Sequence, residues 1–188
     1  QVRNSGTIGG NIANGSPIGD MPPALIALGA MLTLRRGRER RTIPLEDFFI
    51  AYGKQDRRPG EFVENVFIPS TDNLLRIDKL SKRFDSDISA VCGAFNLKVG
   101  DGIVTFARVA FGGMAGTPKR AAACEAALVG AAWSQETLDV AARALSADFQ
   151  PLSDVRGSAT YRLLAAGNLV RRLWWGGESV LDMGAVHG

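Results

Sequence analysis

The sequence predicts an α+β fold, with helices gathered on one face of an antiparallel sheet. Three observations carry this. Several short segments between residues 30 and 111 alternate apolar and polar residues with the two-residue period of strands. Gly100-Asp101-Gly102 sits between two of them, and an Asp-Gly turn supplies the positive φ angles of a tight hairpin. After Gly112-Gly113 the alternation stops, and three stretches with helical spacing follow.

Residues 1–20 are rich in Gly, Asn and Ser and read as a loop. Asp20 can cap a short helix over Met21–Leu28, with Pro22 and Pro23 in its first turn and Gly29 ending it. Ala30–Arg35 reads as a strand, and the basic turn around Gly37 returns through Thr42-Ile43-Pro44 as a hairpin. Leu45–Tyr52 reads as a short helix, with Glu46 and Asp47 where the helix dipole favours acids. Glu61–Ile68 is a strand that stops at Pro69, and Ser70–Leu75 is loop-like, which places a boundary there. Arg76–Lys82, Ala90–Val99 and Ile103–Phe111 follow as strands. Pro118 is expected to open an Ala-rich helix to Val129, closed by Gly130. Ser134 caps the next helix, to Ala147. A last helix over 157–174 keeps Tyr161, Leu164, Ala165, Leu169 and Leu173 mainly on one face. Residues 176–188 read as a frayed tail. The expected division is 1–75, 76–175 and the tail 176–188.

Composition narrows the function classes. With 188 residues, 46% of them hydrophobic, the chain can bury one core or two small ones. A net charge of +3 with short, scattered basic clusters argues against a nucleic-acid partner. No run of about twenty apolar residues spans a membrane, and no signal peptide is visible. Cys92, Cys124 and the lone His187 form no metal-ligand spacing, so no metal site is expected. Cys92, among apolar neighbours, reads as a small core residue. Two unpaired cysteines suit a reducing cytoplasm.

The densest chemical signal is Ser5-Gly6-Thr7-Ile8-Gly9-Gly10-Asn11-Ile12-Ala13-Asn14-Gly15-Ser16-Pro17-Ile18-Gly19-Asp20. Glycines let a backbone approach a ligand, and successive amides can form a hollow for a diphosphate. Thr7, Asn11, Asn14 and Ser16 add short hydrogen-bonding groups. On composition alone, a plain Gly-rich turn is the better reading. The spacing matches neither a P-loop nor a Rossmann fingerprint.

The stretch Arg3–Ile12, followed by Ser16-Pro17-Ile18-Gly19-Asp20, resembles the second flavin-binding segment of xanthine dehydrogenases. These belong with the medium subunits of carbon monoxide dehydrogenases to one flavoprotein family of molybdenum hydroxylases. Lys79–Ile88 is similar to the segment that opens that family's C-terminal flavoprotein domain. Ala107–Ala115, Pro118–Ala121, Pro151–Ser158 and Tyr161-Arg162 extend the resemblance in the same order, to about residue 173. It implies the second half of a PCMH/VAO-type FAD-binding domain, then a flavoprotein C-terminal domain with an antiparallel sheet and three helices.

The resemblance also implies contacts. Thr7, Ile8, Gly9, Gly10 and Asn11 would wrap the FAD diphosphate and ribityl region, with Asn14 close by. Asp20 would hydrogen-bond the flavin or its ribityl chain, alongside its reading as a helix cap. Val63 would lie against the cofactor, or simply pack in the core. Lys79 would stabilise negative charge on the reduced flavin; on its own it reads as a solvated strand lysine. Arg83-Phe84-Asp85 reads as a switch near the flavin or as a surface ion pair. Arg156 with Asp154 reads as a turn clamp, and Trp133, Trp174 and Trp175 as packing residues.

For the complete protein the resemblance implies molybdopterin and 2Fe-2S clusters on other domains or subunits, with electrons passing through FAD to NAD during purine oxidation. A medium subunit with a non-NAD acceptor, or an assembly module with a decayed flavin site, are the competing readings. Gln1 in place of an initiator Met, inside a working loop, implies a piece of a longer protein. The family's first flavin segment is not among these residues, which implies weak FAD binding by this stretch alone.

Overall fold

The computed structural model describes residues 2–84 and 87–175. Asp85, His187 and the expected tail 176–188 lie outside them.

The N-terminal stretch is wound more tightly than its composition announces. Two short helices occupy it, α1 (Val2–Ser5) and α2 (Ile8–Ala13). Helical glycine costs about 1 kcal/mol against alanine, so Gly9-Gly10 gives no helical signal. Two other features offset that cost. The extended Thr7 accepts the Gly10 N–H on its hydroxyl at 2.9 Å as an N-cap, and Ile12 is fully buried. Helix α3 (Met21–Ala27) has its prolines in the first turn as expected, and Gly29 follows its end at φ +74°. Asp20 makes no side-chain cap; its carboxylate is used elsewhere.

Residues 22–27 of α3 are all buried, because α3 lies between two sheets. The first sheet has the order β2-β1-β5, from β1 (Met31–Arg36), β2 (Glu39–Pro44) and β5 (Phe62–Phe67). The β1–β2 hairpin turns at Gly37, whose φ is +59°. The helix expected over 45–52 is a single 3-10 turn, Leu45–Phe48. It is followed by a two-stranded ribbon, β3 (Phe49–Ala51) and β4 (Lys54–Gln55). Phe48 and Phe49 meet edge to face at 5.4 Å in the core, and that packing overrides the helical preference of the first-turn acids Glu46 and Asp47.

The second sheet, β6-β7-β8-β9, is fully antiparallel. It comprises β6 (Leu74–Leu80), β7 (Val91–Gly100), β8 (Ile103–Gly112) and β9 (Lys119–Arg120). Strand β6 starts at Leu74, so the loop read over 70–75 ends earlier than expected. The β7–β8 turn carries positive φ at Asp101 (+50°) and Gly102 (+74°), as the dipeptide required. Pro118 does not open a helix: Lys119-Arg120 first pairs with β8, and α4 (Ala122–Leu128) follows. Helices α5 (Gln135–Asp148) and α6 (Ala159–Arg171) start at capping Ser134 and Ser158. A 3-10 turn, Arg172–Trp175, ends the described chain.

The alternation of β7 separates two cores. Val91, Phe95 and Leu97 face α4, α5 and α6; Phe111 bridges Phe95 and Phe149 with ring centroids 5.6 Å from each. On the opposite face Ala94 and Ala110 join the core of α3 and the first sheet. The helices therefore do gather on one face, and α3 covers the other. Asn96 and Arg108, on that face, donate to Ala27 O at 3.0 Å and Ile26 O at 2.6 Å, and so cap the C-terminal carbonyls of α3.

Candidate functional site

Helix α2 and strand β5 form the two walls of a cavity of about 550 Å³. Thr7, Ile8, Gly9 and Gly10 line one wall, and Phe62, Val63, Asn65 and Val66 the other. The two approach closely at Gly9: a Cβ there would lie 3.4 Å from Val63 Cγ1. A Cβ on Gly10 would lie 2.8 Å from Thr7 Oγ1 and break the cap. Gly10 is thus required by the local geometry, while Gly9 marks where α2 and β5 come into van der Waals range. In a helix that starts at Ile8, the Ile8 and Gly9 N–H groups have no intrahelical acceptor, while Gly10 is satisfied by Thr7. A second hollow of about 500 Å³ lies on the other side of the same loop, lined by Ser5, Gly6, Thr7, Ile8, Gly10, Asn11 and Met21. Bare amides at one end and apolar walls from Ile8, Val63 and Val66 fit a ligand that joins a phosphate group to a flat apolar body.

Strand β5 is held in place by arginines of the neighbouring hairpin. Glu64 accepts from Arg35 at 2.7 Å and from Arg40 at 2.6 and 2.9 Å. These guanidinium bonds hold its carboxyl down at about 2. Glu61 accepts a two-pronged bond from Arg41 at 2.8 Å on each oxygen, and the Arg58 N–H at 2.7 Å. Arg41 above all holds Glu61 at about 2.

Beside the loop a second group of residues is assembled by sheet register. Lys79 of β6, Cys92 of β7 and Gly112 of β8 lie opposite one another in a row, so they share the face that α3 covers. Gly112 leaves room for the loop: a Cβ there would meet Pro23 Cγ at 3.1 Å, Pro17 O at 3.3 Å and Gly19 O at 3.4 Å. At the end of that row Lys79 Nζ donates to Asp20 Oδ2 and to the Asp87 carbonyl, each at 2.7 Å. The buried Ser89 hydroxyl donates to Asp20 Oδ1. Cys92 lies below, its thiol pushed up to about 12 by burial first and by the Asp20 charge second.

The structure brings most of the expected residues into two adjoining groups. Thr7, Ile8, Gly9, Gly10 and Val63 share the first cavity, and Asn11 lines the second hollow. Asp20 and Lys79 form the ion pair. Asn14 stands apart at the exposed end of α2, its carbonyl accepting from Gln55 at 3.5 Å. Lys79 is not a free surface lysine, and Asp20 is its partner rather than a cap. Arg83 pairs with Asp87 at 3.3 Å. The clamp expected between Asp154 and Arg156 is a main-chain one. Asp154 Oδ1 accepts the Arg156 N–H at 2.8 Å, and the guanidinium on it is Arg162 at 2.7 Å. Trp133 and Trp174 pack against each other with ring centroids 6.3 Å apart and planes tilted by 35°. Ser89, a serine in a polar loop, carried no sequence signal, and Arg162 figured in the resemblance without a role at the site.

Fold and site together define a flavoprotein. Residues 77–175 match the family described as the CO dehydrogenase flavoprotein C-terminal domain, and residues 1–71 match the FAD binding domain in molybdopterin dehydrogenase. The chain belongs to this FAD-dependent oxidoreductase family. It is 37% identical over 183 residues to a nicotinate hydroxylase of Emericella nidulans, covering 93% of this chain and 14% of that protein. It is 34% identical over 172 residues to a xanthine dehydrogenase of Dictyostelium discoideum, covering 79% of this chain and 12% of that one. A solved carbon monoxide dehydrogenase chain from Hydrogenophaga pseudoflava superposes with a TM-score of 0.85 at 36% identity, over 92% of this chain and 60% of its own. The chain thus spans less than two thirds of these relatives. Among the described residues no helix is long and apolar enough to cross a membrane.

Proposed function

We propose that this chain is the FAD-bearing portion of a molybdenum hydroxylase that oxidises a purine such as hypoxanthine or xanthine and reduces NAD. The observation that carries the reading is the Asp20–Lys79 pair beside a glycine-walled cavity. The ammonium is fixed by two acceptors, and Asp20 ends the same N-terminal stretch whose α2 lines the cavity. In this reading Thr7, Ile8, Gly9, Gly10 and Asn11 hold the diphosphate and ribityl region, with Asn14 nearby. Val63 packs against the cofactor, and Asp20 orients Lys79 and hydrogen-bonds the flavin side. Lys79 stabilises negative charge where it develops on reduction. FAD, when bound, supplies hydride transfer to NAD. Molybdopterin and 2Fe-2S clusters belong to partner domains or subunits in the same complex, which we place in the cytoplasm. The division of the chain falls near residue 75, between a cofactor-binding part and the flavoprotein C-terminal part.

A second reading, the medium subunit of a carbon monoxide or N-heteroaromatic hydroxylase with a different acceptor, is favoured by the superposition on the carbon monoxide dehydrogenase chain. An assay of the complete complex separates the two. NAD reduction coupled to hypoxanthine is expected. Turnover only with carbon monoxide or nicotinate and an artificial dye would assign the second reading.

A further inference from the structure

Among the described residues, Arg162 is the largest fully buried side chain, with 2% exposure. It sits on α6, on the far side of the second sheet from the ion pair. A buried guanidinium must satisfy its N–H groups, and this one does so mainly on main chain. Nη1 donates to Ala90 O and, at 2.8 Å, to Gly113 O. Nη2 donates to Asp154 at 2.7 Å.

The two carbonyls belong to the two segments that hold Asp20. Ala90 follows Ser89, whose hydroxyl grips Asp20 Oδ1. Gly113 donates its N–H to Pro17 O at 2.7 Å, three residues before Asp20. Gly113 has φ +81°, and a Cβ there would meet Ala90 O at 2.3 Å and Arg162 Nη1 at 2.9 Å. No side chain can intervene, so one guanidinium ties both segments together. Asp20 in turn holds Lys79 at 2.7 Å.

We infer that Arg162 is a positioning residue for the Asp20–Lys79 pair, and sets from outside the site how firmly the lysine is aimed. This rests on the proposed role of Lys79 toward the flavin, and the test keeps the two apart. In the complete flavin-loaded complex, the flavin midpoint potential is measured for wild type, Lys79→Met, Arg162→Lys and the double variant. Lysine keeps the buried charge of Arg162 but cannot span both carbonyls and Asp154. Lys79→Met is expected to lower the potential. Arg162→Lys is expected to lower it in the same sense, with the double variant reading no lower than Lys79→Met alone.

If Lys79→Met leaves the potential unchanged, the flavin role of Lys79 falls. If Lys79→Met shifts it and Arg162→Lys does not, or if the two shifts add, Arg162 has no part in positioning the pair. Should Arg162→Lys fail to assemble, Asp154→Asn replaces it. That variant leaves the guanidinium in place and loosens its anchor. It is expected to show a smaller shift of the same sign, again absorbed by Lys79→Met; no shift or an additive one overturns the inference.

Discussion

Gly10 shows how little freedom the binding loop has. Alanine is normally the better helix residue by about 1 kcal/mol. Here its methyl would sit 2.8 Å from Thr7 Oγ1 and displace the cap. Loss of such a cap costs about 1 kcal/mol of local stability. Gly10→Ala in the full-length flavoprotein is therefore expected to weaken FAD binding at least as much as Thr7→Ala, as read by flavin fluorescence titration. Unchanged affinity in both variants would move the cofactor away from α2. Most of the candidate residues were legible from the chain, because the glycine pair and its polar neighbours are contiguous. The partners of Asp20 were not. Lys79 and Ser89 reach it across 59 and 69 residues, through a strand register that no local pattern states.

At the scale of elements, the cavity wall β5 depends on arginine–carboxylate bonds to the β1–β2 hairpin. Glu61 is the buried member, with a side chain 4% exposed. Its carboxyl sits at about 2, below the usual 4.5. A carboxylate depressed in the folded state stabilises the fold fully above its unfolded pKa and loses that contribution as pH falls through the folded one. Stability is thus expected to decline from about pH 4.5 towards about pH 2. Glu61→Gln should flatten that limb of a plot of urea midpoint against pH, and an unaltered slope would show that the Arg41 bonds contribute nothing. The hairpins were readable because Gly37 and Asp101-Gly102 encode their own turns. The segments at 45–52 and 118–121 were misread for a common reason. Glu46 and Asp47 in one, and Pro118 in the other, are local helix-start signals, but neither helix start has a side-chain cap, and the packing of Phe48 with Phe49 and the pairing of Lys119-Arg120 with β8 outweighed them.

Across the whole molecule, the second sheet separates two cores and serves both. The centre of its α3 face carries small residues, Cys92, Ala94, Ala110 and Gly112. Asn96 and Arg108 then tie that face to the end of α3. The α+β class was legible from the order of the elements, whereas the second layer under the sheet was not, since α3 is only about two turns, buried from Pro22 on, with no polar side to mark its neighbours. The two cysteines fall one on each side of this divide. Cys92 lies beneath Asp20, and Cys124 is enclosed by α4, α5 and the sheet. Burial raises both thiols, so neither is a ready nucleophile near neutral pH. An alkylating reagent would then act as a clock for two separate breathing motions. Peptide mass spectrometry is expected to find Cys92 modified first, when only the stretch over it lifts, and Cys124 much later. Simultaneous modification would mean that the two halves come apart as one cooperative unit.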